Sequence, residues 1–145
     1  MIEPWTLSIS ELTAQFHERH LDPASVCKIF RQRISTLDPL LNCFVAFNPS
    51  LEDEAKRSAE RWRLGNPLSP LDGVPIAVKD NLVAAGMPAS WGSAAFADET
   101  CQVDELPIAR LRNAGALIIG KTNTPEFAVD GYTANALFGA VSYTH

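Results

Sequence analysis

The chain has 145 residues, 46% hydrophobic and 20% charged, a balance that fits one globular domain and excludes a disordered segment. Its net charge of −5, with no basic cluster larger than Arg61-Trp62-Arg63 or the pair Arg110 and Arg112, excludes a nucleic-acid footprint. No apolar run reaches membrane-spanning length, and Met1-Ile2-Glu3-Pro4-Trp5 lacks the basic and apolar regions of a signal peptide. Cys27, Cys43 and Cys101 are odd in number and form no Cys-x-x-Cys pair, which implies free thiols in a reduced, cytoplasmic setting.

Ser8 followed by Glu11 makes a capping box, and the helix it opens carries Ile9, Leu12 and Phe16 on one face. A second helix starts at Asp22 with Pro23 in its first turn; its buried stripe is Val26, Phe30, Ile34 and Leu37. Asp38-Pro39 is expected to stop it, because the residue before a proline is pushed out of the helical region. Asn42 to Phe47 reads as a short strand or an extended connection. Asn48-Pro49-Ser50 opens a third helix with Leu51, Ala55, Ala59 and Trp62 inward. Glu52, Asp53, Lys56, Arg57, Glu60 and Arg61 form its solvated face. Gly65 caps it, and Asn66 to Pro70 is a linker. Residues 1–65 thus read as a helical arm, and strands and helices alternate over 66–145.

In the second portion a turn at Asp72-Gly73 leads into an apolar run, Val74 to Val78, which reads as a buried strand ending at Lys79. A lysine there is either a snorkelling surface residue or a partly desolvated base, and composition alone favours the first. A long loop, Val83 to Gln102, is rich in Ala, Gly and Ser. Asp104 to Ala114 is a helix with Leu111 facing inward, and Ala116 to Ile119 is a second buried strand. Thr124-Pro125-Glu126 starts a short helix. The strand–helix–strand order implies a crossover in an α/β sheet.

Gly115-Ala-Leu-Ile-Ile-Gly120-Lys121-Thr122 matches the phosphate-loop pattern, but a helix precedes Gly115 and the residues between the glycines form a strand. Phosphate binding needs the reverse order, so the match is dismissed. His17 and His20 have no acidic or thiol partner at ligand spacing and read as solvated, and no metal site is expected. His145 carries no information. Ser90 and Ser93 read as turn residues, and no Gly-x-Ser-x-Gly elbow is present.

Three ordered blocks resemble the amidase signature family. Leu71-Asp-Gly-Val-Pro-Ile-Ala-Val-Lys-Asp-Asn-Leu is similar to its lysine block. Ala109 to Ala128 is similar to its next block, followed by Gly131-Tyr-Thr-Ala-Asn and Phe138-Gly139. The resemblance implies a mixed sheet with helices on both sides, of which this chain holds the helical arm and the first strands and helices. It implies hydrolysis of a carboxamide carbon–nitrogen bond by a Ser–Ser–Lys triad, without metal or cofactor, on a small-molecule amide. Lys79 takes the catalytic lysine position. Gly131, Tyr132 and Thr133 resemble a substrate-cleft segment, while Lys121 and Asn123 read as structural. Both serines belong to later glycine- and serine-rich motifs, so residues 1–145 carry only the lysine. The alternative is a truncated, inactive fragment with a structural or partner-dependent role. Unpaired strand edges would favour self-association, and a homo-oligomer stays open.

Overall fold

The computed structural model describes residues 3–97 and 99–143, so His145 and the first two residues lie outside the described residues. The capping box forms: the Glu11 N–H donates to the Ser8 hydroxyl at 3.3 Å, and the Ser8 N–H donates to the Glu11 carboxylate at 2.7 Å. It opens α1 (Ile9–His17), which buries Leu12 and Phe16 but leaves Ile9, at the helix start, exposed. Asp22 accepts from the Ser25 N–H at 3.0 Å and opens α2 (Pro23–Leu41).

This helix does not stop before Pro39. Proline in the last turn forfeits one backbone bond, and other bonds supply the termination. Asn42 takes a left-handed conformation with φ 56° and donates its N–H to the Asp38 carbonyl at 2.7 Å. The Asp38 carboxylate then accepts the N–H groups of Cys43 at 2.7 Å and Phe44 at 3.1 Å, steering the chain into β1 (Phe44–Phe47). Leu37, the last residue of the expected stripe, is exposed.

Next come α3 (Leu51–Arg63), β2 (Pro75–Lys79), α4 (Leu106–Asn113) and β3 (Leu117–Thr122). The sheet order is β1-β3-β2, with β1 antiparallel and β2 parallel to the central β3. The helical arm therefore also contributes an edge strand. A two-residue ladder, β4 (Ala134–Asn135) with β5 (Gly139–Ala140), closes the described chain.

On one side of β3, Leu117 and Ile119 pack with Cys27 of α2 and with Leu51 and Ala55 of α3. On the other, Ile118 packs with Val78, Ala84, Met87 and Ile108. Ile108, rather than Leu111, is the buried residue of α4, which starts at Leu106 instead of Asp104. A third cluster joins Leu12 and Phe16 to Val26 and Trp62, with the Phe16 and Trp62 rings 5.7 Å apart. Burial pushes the Cys27 thiol up to about 12, with the Glu54 and Asp22 carboxylates adding to the rise.

The second strand is longer than expected and continues through Gly120, Lys121 and Thr122. Gly120 is required by contact: a Cβ there would lie 2.3 Å from the Ala46 carbonyl oxygen of β1. The helix expected at Thr124 shrinks to one turn, Glu126–Ala128, because Phe127 and Ala128 have positive φ. β2 is also less buried than an internal strand: Val78 is buried while Ala77 and Lys79 are exposed.

Arg61 leaves the solvated face of α3. Its Nε and Nη2 each reach the buried Asp72 carboxylate at 2.7 Å, and the Ser58 hydroxyl donates to it at 2.6 Å. Burial alone would raise the Asp72 pKa, but Arg61 and Ser58 outweigh it and hold the carboxyl below its ordinary value. Gly73 follows at φ 84°, where a Cβ would meet Pro23 at 2.4 Å.

Asp72→Asn should lower the unfolding free energy at pH 7 by about 3 kcal/mol in urea denaturation, because it unpairs Arg61 at a largely buried site. A depressed carboxylate stabilises above its unfolded pKa and loses that contribution as pH falls through the lower folded value. The wild-type and variant stabilities should therefore converge below the ordinary value of 3.8.

Candidate active site

β2 and β3 run parallel and end together, with Lys79 beside Thr122. In open α/β sheets the carboxyl ends of parallel strands are where crevices form. Strand alternation puts Val78 and Asp80 on the buried side and Lys79 on the other. Lys79 is exposed, contrary to the expectation of a buried strand mouth, because β2 is the last strand of the sheet. Among the described residues its Nζ has no hydrogen-bond or ion-pair partner.

The next residue is the opposite. Asp80 has no exposed surface, and its N–H donates to the Thr122 carbonyl at 2.9 Å. One carboxylate oxygen accepts the Ser90 N–H at 3.1 Å and the Ser90 hydroxyl. The other faces the Lys121 ammonium at 3.4 Å. Lys121, also without exposed surface, donates to the carbonyls of Leu82 at 2.6 Å and Pro88 at 2.7 Å. Its ammonium thus donates to two carbonyls and stands in ion-pair range of one carboxylate oxygen, which among the described residues accepts no hydrogen bond. Burial pushes the Lys121 pKa below that of an ordinary lysine, and Asp80 opposes the shift. The Ser90 hydroxyl in turn accepts the Gly92 N–H at 3.1 Å. The Asp80 carboxylate ties the loop at Ser90 to the end of β2, and among the described residues it has no hydrogen bond with the Lys79 ammonium.

The chain after β3 is tied down by asparagines. Asn123 accepts from the Thr124 N–H at 2.9 Å and from Asn135 Nδ2 at 2.8 Å. Asn135 accepts the N–H groups of Leu137 at 3.0 Å and Phe138 at 2.7 Å. The Phe127 N–H donates to the Trp91 carbonyl at 2.8 Å, which joins this segment to the loop after Ser90. Gly131 and Tyr132 are exposed, while Thr133 is buried. The Thr133 N–H donates to the Tyr143 hydroxyl at 3.1 Å, and the Tyr132 and Tyr143 rings lie 5.6 Å apart. Among the described residues no hydrogen bond or ion pair joins these three residues to Lys79. Ser90 and Ser93 are buried, and Ser90 is engaged by Asp80. Sequence reasoning missed the Asp80–Lys121–Ser90 cluster; the one available signal was that Asp80 shares the inward face with Val78.

Among the described residues no group of three or more His, Cys, Asp and Glu could hold a metal ion. No described helix is long and apolar enough to cross a membrane.

Comparison with known proteins agrees with this architecture. The amidase family model matches residues 25–144. A mitochondrial glutamyl-tRNA(Gln) amidotransferase subunit from Ixodes scapularis is 36% identical over 92% of this chain and 26% of its own length. The acylamidase of Rhodococcus erythropolis is 34% identical over 92% of this chain and 28% of its own. The native peptide amidase of Stenotrophomonas maltophilia superposes with a TM-score of 0.86 at 33% identity, over 92% of this chain and 29% of that one. A chain with this sheet, these ordered blocks and this match belongs to the amidase family. It spans between a quarter and a third of the length of these relatives.

Lys121→Met should cost about 3–5 kcal/mol, because it strands the Asp80 carboxylate without its cation. Pairing it with Asp80→Asn should restore part of that loss. Lys79→Met should change stability by less than about 0.5 kcal/mol, as expected for an exposed, unpartnered side chain. Urea unfolding of the four proteins with wild type as reference checks all three.

Proposed function

We propose that this chain is the lysine-bearing part of an amidase that hydrolyses the carbon–nitrogen bond of a small carboxamide, with Lys79 as the base of a Ser–Ser–Lys relay. The supporting observation is the placement of Lys79: it stands at the shared carboxyl end of two parallel strands, its side chain unpartnered and its main chain fixed by the buried residue that follows. A neutral amine there accepts a proton through a bridging serine from the nucleophilic serine. The nucleophile adds to the amide carbon, the carbon–nitrogen bond breaks, and the leaving amine takes the proton. Water then cleaves the acyl-enzyme ester. The relay needs Lys79 neutral, hence desolvated, so the residues that cover β2 have to exclude water from it. Gly131, Tyr132 and Thr133 would flank the substrate. The chemistry needs no cofactor. Free cysteines fit a cytoplasmic setting.

A second reading is an inactive fragment with a structural or partner-dependent role. The burial of Ser90 and Ser93 favours it, since neither hydroxyl is available as a substitute nucleophile.

The test is a chimaera in which this chain replaces its matched counterpart in the Stenotrophomonas maltophilia peptide amidase. The chimaera should hydrolyse peptide amides, and Lys79→Ala should lower kcat by at least about a thousandfold with KM little changed. Retention of activity in that variant would sink the role of Lys79. The 145-residue protein alone should release no ammonia from simple carboxamides above background, and Lys79-dependent release would overturn its dependence on further residues.

A further inference from the structure

Between the first halves of α2 and α3, where β1 ends, lies a hollow of about 670 Å³. That is the size of a small-molecule pocket. Its floor is apolar: Ala24, Leu51 and Ala55 line it and belong to the cluster packed against β3. Its charge runs against that of the chain. Lys28, Arg31 and Lys56 line it beside one acid, Glu52, in a protein whose net charge is −5.

Most polar groups of the wall are already engaged. Lys56 pairs with Glu52 at 2.8 Å, and the Ser25 hydroxyl donates to Asp22 at 2.6 Å. Asn48 donates to the Glu54 carboxylate at 2.9 Å and to the Ile118 carbonyl at 3.0 Å, and accepts the Ser50 N–H at 2.9 Å. Two cations are left. Among the described residues Lys28 has no hydrogen bond or ion pair, and Glu52 acts on it only as a more distant charge. The guanidinium of Arg31 lies over the Phe47 ring, 3.7 Å from its centre. Such stacking fixes the guanidinium plane without using the N–H groups within that plane. Among the described residues those N–H groups donate to no acceptor.

We propose that this hollow binds a small carboxylate with an apolar body. The carboxylate sits on the fork of Arg31 with Lys28 beside it, and the body lies over Leu51 and Ala55. A carboxylate matches two parallel N–H groups of a guanidinium. A neutral ligand would leave both cations unanswered, and a bare anion would leave the apolar floor in water. The walls come from α2, α3 and the end of β1, so the site stands apart from Lys79 and from the proposed function.

The experiment titrates the 145-residue protein with 4-phenylbutyrate and follows the backbone amides by NMR. The probe should bind one-to-one, with the largest shifts in residues 24–31 and 47–56. 4-Phenylbutanol keeps the body without the charge, and acetate keeps the charge without the body. Each should bind at least about tenfold more weakly. Arg31→Met should weaken phenylbutyrate about tenfold, and Arg31→Lys, which lacks the fork, should restore only part of that. The Arg31 side chain is exposed, so both variants should melt within about 4 °C of wild type, which separates lost binding from lost fold. Equal binding of phenylbutanol, an unchanged Kd in Arg31→Met or shifts centred elsewhere would overturn the proposal. So would the absence of binding by about 10 mM phenylbutyrate. The same titration in the peptide-amidase chimaera should again show binding that depends on Arg31, and its loss there would overturn the site as a feature of the whole enzyme. If the 145-residue protein gives no folded spectrum, the chimaera is read alone with the same outcomes.

Discussion

The ammonium of Lys121 cannot reach water, so three protein oxygens have to be in place around it. Two are the main-chain carbonyls of Leu82 and Pro88, and the third belongs to Asp80. A charge of this kind left unpaired in the interior costs several kcal/mol. The requirement couples three stretches that are distant in sequence: the end of β2, the loop after it and the buried strand β3. Asp80 passes the constraint on through Ser90 to the Gly92 N–H, and Phe127 bonds to Trp91 in the same turn. The end of β2, the loop after it and β3 therefore share one electrostatic anchor.

β2 is bracketed by two fully buried aspartates that differ in their partners. Asp72, before the strand, is held by the planar fork of Arg61. Asp80, after it, is held by the point charge of Lys121 and the hydroxyl of Ser90. An outer strand bonded along one side frays easily. Pinning both ends keeps its free groups in fixed directions while the middle residue, Ala77, stays small and accessible.

What was legible in the sequence was local. The capping box at Ser8 and the cap at Asp22 act over three residues, and both form. Family membership was legible because it sits in ordered blocks rather than in burial. What failed was anything decided by partners far along the chain. Pro39 signalled a helix end, but the Asp38 carboxylate and the left-handed Asn42 moved the exit beyond it. Arg61 looked solvated because Asp72 lies 11 residues later. Lys121 meets its carbonyl partners 33 and 39 residues away, and no periodicity encodes that contact. The exposure of Lys79 was hidden for a related reason. An apolar run reads alike whether its strand ends up inside the sheet or on its border.

The Cys27 thiol gives the fold a built-in clock. With its pKa pushed up to about 12 and its sulfur packed between α2, α3 and β3, it is almost never a thiolate at neutral pH. Packing against Leu51, Ala55, Leu117 and Ile119 shields it from alkylating reagents and peroxide. Cys43 and Cys101 are half-buried and lie outside this cluster. The lag between modification of those two thiols and modification of Cys27 measures how often the helical arm lifts from the sheet.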